Sequence, residues 1–169
     1  GPLSRRGFLR QSFAFSALAG FGSLPSVARQ RTSATNASHW LMVGDWGYEN
    51  FTAQKVVAAA MQQYAHDQGL NADALLMLGD NWYGPLPGGV TSQRWTTQFE
   101  DMYPNHIFDC PAYAVLGNHD YQRMPESKVE AELAYAKKPG TRWTLPARWY
   151  RFEFPAAKPL VTVLALDRN

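Results

Sequence analysis

The sequence predicts an α/β fold built on a mostly parallel βαβαβ unit. Three apolar runs, each ended by a glycine and then by polar side chains, are spaced one helical crossover apart along the chain. They read "LMVGDWG", "LLMLGDNWY" and "AVLGNHD", and segments with helical periodicity separate them. Because the carboxyl ends of parallel strands lie at one edge of a sheet, we expect these three run ends to face a common crevice.

The first crossover joins a predicted strand at Trp40–Val43 to one at Ala74–Leu78. A helix between them begins near Thr52, whose side chain can cap it, and ends at Gly69. A right-handed crossover of this kind places the two strands in parallel. The helix is predicted from five apolar residues that fall at helical spacing: Val56, Val57, Ala60, Met61 and Tyr64.

The rest of the chain continues the alternation of strands and helices. The stretch "GPLPGG" has the composition of a loop, and "TSQRWTTQFEDMY" predicts a helix with Trp95, Phe99 and Met102 on one side. The later predicted elements are a strand at Tyr113–Leu116, a helix at Glu126–Lys137, and strands at Trp149–Phe154 and Leu160–Leu166.

The bulk composition indicates a globular domain. A length of 169 residues, with 46% hydrophobic and 14% aromatic residues, is enough to form a core. The formal net charge of +2 includes Arg5, Arg6 and Arg10, and without residues 1–28 the chain has 13 basic and 14 acidic residues. This balance argues against nucleic-acid binding. Cys110 is the only cysteine, so an internal disulfide is excluded and we interpret it as a packed thiol.

Residues 1–28 resemble a twin-arginine signal peptide. Arg5 and Arg6 are followed by a Phe-Leu pair, an apolar run of small residues, and small residues suited to signal peptidase. The apolar run is too short for a stable membrane span. We therefore expect export by the twin-arginine machinery to the periplasm or beyond, a polar linker at 29–38, and a folded domain at 39–169. The alternative is a frayed amphipathic N-terminal helix.

The polar residues after the three predicted strands have the composition of a metal site. Asp45, Asp80 and Asn118 each follow a glycine, and two carboxylates in one crevice repel each other unless cations or protons intervene. Carboxylate, amide, phenolate and imidazole groups suit Fe, Mn or Zn. One aspartate bridging two cations would create the two-metal arrangement used for phosphate ester hydrolysis. A single glycine-aspartate pair is typical of an ordinary turn, and the triple occurrence is what favours a metal site.

Three motifs carry a resemblance to a known family. They are Gly44-Asp45-Trp46-Gly47, Gly79-Asp80-Asn81-Trp82-Tyr83 and Gly117-Asn118-His119-Asp120. Together with the stretches "RWTTQFEDMY" and "TRWTLPARWYRFEF", they resemble the calcineurin-like metallophosphoesterases, and among these the purple acid phosphatases of the tartrate-resistant type. The resemblance implies a four-layer αββα sandwich, of which this chain would form roughly the first half.

The resemblance also implies a dinuclear metal centre with Fe(III) and a second ion that is Fe(II), Zn(II) or Mn(II). Asp45 and Tyr83 would bind the ferric ion, Asp80 would bridge the two ions, and Asn118 would bind the second. Small phosphomonoesters would be hydrolysed by a hydroxide that the two metals activate.

The same resemblance assigns roles in catalysis and substrate binding. His119 would stabilise the phosphate oxygens or protonate the leaving group, and Asp120 would orient His119, which makes these two the candidate catalytic residues. The candidate substrate-binding residues are Asn118, His119, Trp82 and Tyr121. Ordinary packing is the alternative for Trp82 and Tyr121.

Other interpretations stay open from the sequence. The Val-x-x-His and Gly-His-x-His motifs that complete the family's site do not occur in the chain, so we expect a partial chain with weak or no activity of its own. A phosphodiesterase or nucleotidase on the same scaffold is a second enzyme hypothesis, and a metal-poor fragment with a binding role is a non-enzymatic one. A doubly wound nucleotide-binding domain fits the strands, but no glycine-rich phosphate loop follows the first of them.

Overall fold

The computed structural model describes residues 37–122 and 127–168, so the predicted signal at 1–28 and positions 29–36 of the predicted linker lie outside the described residues. No helix in this part of the chain is long and apolar enough to cross a membrane. The described strands are β1 (Trp40–Val43), β2 (Ala74–Met77), β3 (Ala112–Ala114), β4 (Trp143–Thr144), β5 (Tyr150–Phe154) and β6 (Val161–Ala165). The described helices are α1 (Thr52–Gln68) and α2 (Lys128–Tyr135), with a 3-10 turn at Gly89–Thr91 and a π-helix at Trp95–Glu100.

The first four strands form one parallel sheet in the order β1-β2-β3-β4. Trp40 pairs with Ala74 at the start of β1, and Leu75 pairs with Ala112 in β3. The predicted α/β class and parallel βαβαβ unit are confirmed. Strand β4 was not predicted, because two residues are too few to show a period.

Helix α1 is capped differently from the prediction. Thr52 is its first residue, and the side chain of Asn50 accepts hydrogen bonds from the Thr52 backbone N–H at 3.3 Å and from its hydroxyl at 2.8 Å. The predicted end at Gly69 is confirmed, since this glycine has a left-handed φ of 58° that closes the helix.

The apolar residues that indicate helix α1 do not all lie on its buried face. Val56 is 69% exposed, and Val57 and Tyr64 are exposed as well, whereas Gln54, Ala58 and Ala65 are buried. Gln54 can be buried because its Nε2 donates to the Gln98 carbonyl at 2.6 Å. A buried polar group with a partner loses little stability, and a count of apolar residues cannot detect such a partner.

An aromatic core joins the helices to one face of the parallel sheet. Trp46 contacts Trp82 edge to face with ring centroids 5.0 Å apart, and Trp82 contacts Trp95 at 4.7 Å. Trp95 in turn stacks on Tyr135 of α2 at 3.8 Å. Trp46 directly follows Asp45, and Trp82 lies between Asp80 and Tyr83. Because both rings are packed in this core, they fix the loops that follow β1 and β2.

The two remaining strands form an antiparallel sheet on the opposite face. The ring of Phe152 in β5 stacks on Tyr113 of β3 at 3.7 Å, and the Tyr150 hydroxyl donates to the Ala114 carbonyl at 2.9 Å. The described residues thus form a helical layer, a parallel sheet and a smaller second sheet. Met42 and Leu78 stay exposed, so the second sheet covers its face of the first only in part.

Candidate metal centre

The loops that follow β1, β2 and β3 lie together at the carboxyl edge of the parallel sheet. The Asp45 N–H donates to the Gly79 carbonyl at 3.1 Å, and the Tyr83 N–H donates to the Gly47 carbonyl at 2.9 Å. The third loop reaches the second through the His119 N–H, which donates to Asp80 Oδ1 at 2.9 Å. These hydrogen bonds join three segments whose polar residues Asp45, Asp80 and Asn118 are 35 and 38 residues apart in sequence.

Asp45, Asp80 and Tyr83 meet at a single atom. The Tyr83 hydroxyl lies 2.7 Å from Asp45 Oδ1 and 3.0 Å from Asp80 Oδ2, so its one hydrogen is shared between two carboxylates. Burial, followed by these two carboxylates, raises the pKa of Tyr83 above its ordinary value. Both carboxylates thus lie within hydrogen-bond distance of the phenol oxygen.

Both aspartates have a backbone conformation that is uncommon outside glycine. The φ angle is 56° at Asp45 and 51° at Asp80. A left-handed non-glycine residue costs about 1–3 kcal/mol and is typical of functional sites. The turn directs each carboxylate out of its strand and towards the shared hydroxyl.

Two glycines allow the loops to approach one another this closely. A Cβ at Gly47 would lie 1.6 Å from the Asn81 carbonyl oxygen, and a Cβ at Gly117 would lie 2.2 Å from Asp80 Oδ1. No side chain larger than hydrogen fits at either position without moving a ligand-bearing loop.

Asn118 and His119 lie beside the carboxylates at the surface of the molecule. Asn118 is exposed, between Gly117 and His119, which both approach Asp80. The imidazole of His119 is half-buried and stacks on the Tyr83 ring with centroids 4.0 Å apart. Its Nδ1 lies 3.2 Å from Gln122 Oε1.

Asp120 has a different environment from the one expected. Its buried carboxylate accepts hydrogen bonds from the backbone N–H groups of Gly117 at 2.8 Å, Asn81 at 3.1 Å and Trp82 at 2.8 Å. Burial raises the pKa of Asp120, and these three bonds partly oppose that rise. The side chain therefore fastens the third loop to the second, while the imidazole we expected it to orient lies against Tyr83 and Gln122.

The two aromatic residues predicted to line the substrate site differ in exposure. Trp82 is fully buried between Trp46 and Trp95, which agrees with the packing alternative for this residue. Tyr121 is half-buried, and its hydroxyl donates to the carboxylate of Asp167, which follows β6. Its predicted contact with substrate stays a prediction.

Arg94 is a site residue that the sequence did not reveal. Its guanidinium donates to the Gly47 carbonyl at 2.7 Å and to the Tyr83 carbonyl at 2.9 Å, so it links the first and second loops. It also lies 5.2 Å from the centre of the Trp82 ring. The only feature of the sequence that pointed to Arg94 was its place in the "RWTTQFEDMY" stretch. The spacing of residues in that stretch does not assign a role to the arginine.

The oxygen atoms that converge at this edge of the sheet suit a hard metal ion, but they form only part of a ligand set. Two carboxylates and a phenol converge, and an exposed amide lies beside them, which is an oxygen-rich set suited to Fe(III) or Mn(II). Within residues 37–122 and 127–168, no group of three or more His, Cys, Asp or Glu side chains is arranged to hold an ion. The described set is thus compatible with one side of a metal centre.

Comparison with known proteins gives the same family as the motifs. The model of the calcineurin-like phosphoesterase family matches residues 39–163. Tartrate-resistant acid phosphatase type 5 of Homo sapiens is 33% identical over 150 residues, covering 85% of this chain and 44% of that protein. Purple acid phosphatase 7 of Arabidopsis thaliana is 29% identical over 131 residues, covering 77% of this chain and 37% of that protein.

A solved structure with the same fold is also among the similar proteins. It is described as GAP50, the anchor in the inner membrane complex of Plasmodium, with a TM-score of 0.56, 22% sequence identity, and coverage of 68% of this chain and 36% of that one. The chain spans less than half the length of these relatives. The match to the family model over most of the sequence shows that the chain belongs to the calcineurin-like phosphoesterase family.

Proposed function

We propose that the full-length protein hydrolyses small phosphomonoesters at a dinuclear metal centre, to which this chain contributes Asp45, Asp80, Tyr83 and Asn118. The observation that carries the proposal is the convergence of two strand-end carboxylates on one phenol oxygen, at 2.7 and 3.0 Å. The similarity to tartrate-resistant and purple acid phosphatases supports the same chemistry.

Each candidate ligand of this chain would have a specific role in binding the two metal ions. Asp45 and Tyr83 would hold Fe(III), Asp80 would be shared with a second ion, which is Fe(II), Zn(II) or Mn(II), and Asn118 would hold that ion. When bound, the two ions supply Lewis acidity that lowers the pKa of water and neutralises charge on the phosphate. The Tyr83 phenol has to release its proton on binding, so we expect metal affinity to decrease at low pH.

His119 is the residue of this chain that we propose to act on the substrate. Its ring is half-buried and fixed by stacking on Tyr83, and the contact of Nδ1 with Gln122 leaves Nε2 as the ring nitrogen for proton exchange. A cleft of about 250 Å³ opens beside Asp45 and is lined in part by Tyr48 and Val57.

Metal analysis, a visible spectrum and two assays of the full-length protein test this proposal. We expect about two metal ions per chain with iron among them, a visible absorption band that Tyr83→Phe abolishes, and faster hydrolysis of p-nitrophenyl phosphate than of bis(p-nitrophenyl) phosphate. Asp80→Asn should lower kcat about 100-fold or more, because the shared ligand is lost. Glu130→Gln, an exposed change on α2, is the control.

Three results would contradict the proposal in different ways. A preference for the bis ester would favour the phosphodiesterase hypothesis. A colourless, iron-free but active protein would exclude the purple type. An inactive protein that binds no metal would favour a binding role.

A further inference from the structure

Two charged side chains of α2 are buried behind the candidate metal centre. Lys128 is 1% exposed and Glu132 is 0% exposed, although lysine and glutamate are almost never fully buried unless they have partners. They are four residues apart, so they lie on the same face of the helix. Neither belongs to the three motifs described above. Their burial therefore has to be explained by the groups that they contact.

Both side chains contact the segment between Asp80 and Tyr83. The Lys128 ammonium donates to the Trp82 carbonyl at 2.7 Å. Glu132 Oε2 accepts a hydrogen bond from the Asn81 side-chain amide at 3.0 Å. Asn81 and Trp82 are the two residues that separate the candidate ligands in the chain. Any movement of these two residues therefore moves both Asp80 and Tyr83.

The same segment is held from its other side. Asp120 binds the backbone N–H groups of Asn81 and Trp82, and the Asn81 side-chain oxygen accepts from Trp46 Nε1 at 3.0 Å. Asn81 thus uses both ends of its side-chain amide, and Trp82 uses both its N–H and its carbonyl. With Lys128 and Glu132 present, the Asn81 side-chain amide and the Trp82 backbone N–H and carbonyl all have partners. Trp82 Nε1 and Glu132 Oε1 are buried without a partner among the described residues.

The charged side chains of this cluster lie close enough to interact. Burial lowers the pKa of Lys128, and the nearby Asp120 and Glu132 carboxyl groups oppose that change. Burial also raises the pKa of Asp120 and raises that of Glu132 well above its ordinary value. Loss of Lys128 would leave the Trp82 carbonyl without its donor and Asp120 without its cation, which is costly in a buried site.

We propose that Lys128 and Glu132 are positioning residues that hold the Asp80–Tyr83 segment in the conformation which directs both of these side chains to one metal ion. The inference rests on the proposed function, because it assigns Asp80 and Tyr83 to that ion. Lys128 and Glu132 do not touch the ion or the substrate themselves. They act through Trp82 and Asn81.

Substitutions at both positions in the full-length protein test the inference. We expect Lys128→Met and Glu132→Leu to weaken Fe(III) binding about 10- to 100-fold, the usual effect of losing a residue that supports metal ligands. Glu132→Gln should restore most of the affinity, because a glutamine oxygen can still accept from Asn81. Exposed residues of the same region provide the matched controls, Glu130→Gln and Lys137→Met.

Hydrogen exchange of the metal-free protein separates positioning from general stability. We expect faster amide exchange in the Asp80–Tyr83 segment of Lys128→Met and Glu132→Leu, with exchange in α1 unchanged. A uniform loss of protection, together with unchanged metal affinity of the folded fraction, would overturn the inference and leave the proposed function intact. Absence of metal binding in the unaltered protein would overturn the proposed function, and this inference with it.

Discussion

Burial raises the pKa of the Glu132 carboxyl well above its ordinary value of 4.5, and the neighbouring Asp120 carboxylate raises it further. The hydrogen bond from Asn81 and the charge of Lys128 act in the opposite direction. The folded protein therefore keeps a proton on Glu132 at pH values where the unfolded chain has lost it. Because the folded state then binds more protons, its stability decreases as the pH rises above 4.5.

Glu132→Gln should remove this pH dependence. The free energy of unfolding of the unaltered metal-free protein should fall relative to that of Glu132→Gln by up to about 1.4 kcal/mol per pH unit. The decrease begins above pH 4.5 and ends at the pKa of the folded state. Urea unfolding at a series of pH values measures the difference. Asp120 also has a raised pKa, but it is present in both proteins. Parallel curves for the two proteins would show that Glu132 is ionised in the fold.

Among individual residues, the sequence predicted the candidate metal ligands better than the buried charged residues that hold the ligand-bearing loops. Asp45, Asp80 and Tyr83 could be identified because they occur in motifs at strand ends, where side chains of parallel strands gather. Arg94, Lys128 and Glu132 could not be identified, because the sequence does not show whether a charged residue is buried or exposed. Only the carbonyl or amide that each one contacts distinguishes it, and those partners are 11 to 51 residues away.

At the scale of elements, the strand-end loops behave as one packed unit. Backbone hydrogen bonds, the Arg94 guanidinium and the Asp120 carboxylate all connect loops that different strands carry. The strands and their parallel pairing followed from the apolar runs, whereas the buried face of α1 did not. Gln54 and Gln98 bond to each other in the core, so a polar residue lies on the buried face of α1 while Val56 and Val57 are exposed.

Gly47→Ala tests whether the first two loops must touch. The new Cβ would overlap the Asn81 carbonyl, so we expect a loss of about 3 kcal/mol or more in the free energy of unfolding, at the upper end of overpacking costs. Gly140→Ala is the control, since its Cβ meets nothing within 4 Å and only its φ of 78° is unfavourable, which costs about 1–2 kcal/mol. Urea unfolding compares the two. Equal stabilities would mean that the loops can separate freely.

At the scale of the whole molecule, the site depends on segments that are far apart in sequence. The chain spans less than half the length of its curated relatives, and Leu160, Leu164 and Leu166 are exposed in and around β6. The sequence predicted the convergence of the loops because topology alone requires it. The sequence did not predict how much of the parallel sheet the β5–β6 sheet covers. That extent depends on side-chain packing between two sheets whose strands are not hydrogen-bonded to each other.

Anomalous X-ray diffraction from crystals of the metal-loaded full-length protein shows directly whether Asp45, Asp80 and Tyr83 bind the same ion. We expect a metal peak within bonding distance, about 2.0–2.2 Å, of the Asp80 carboxylate, with Asp45 and the Tyr83 oxygen bound to the same ion and Asn118 beside a second peak. Metal peaks remote from these four side chains, or Asp45 and Asp80 bound to separate and unconnected ions, would contradict the account.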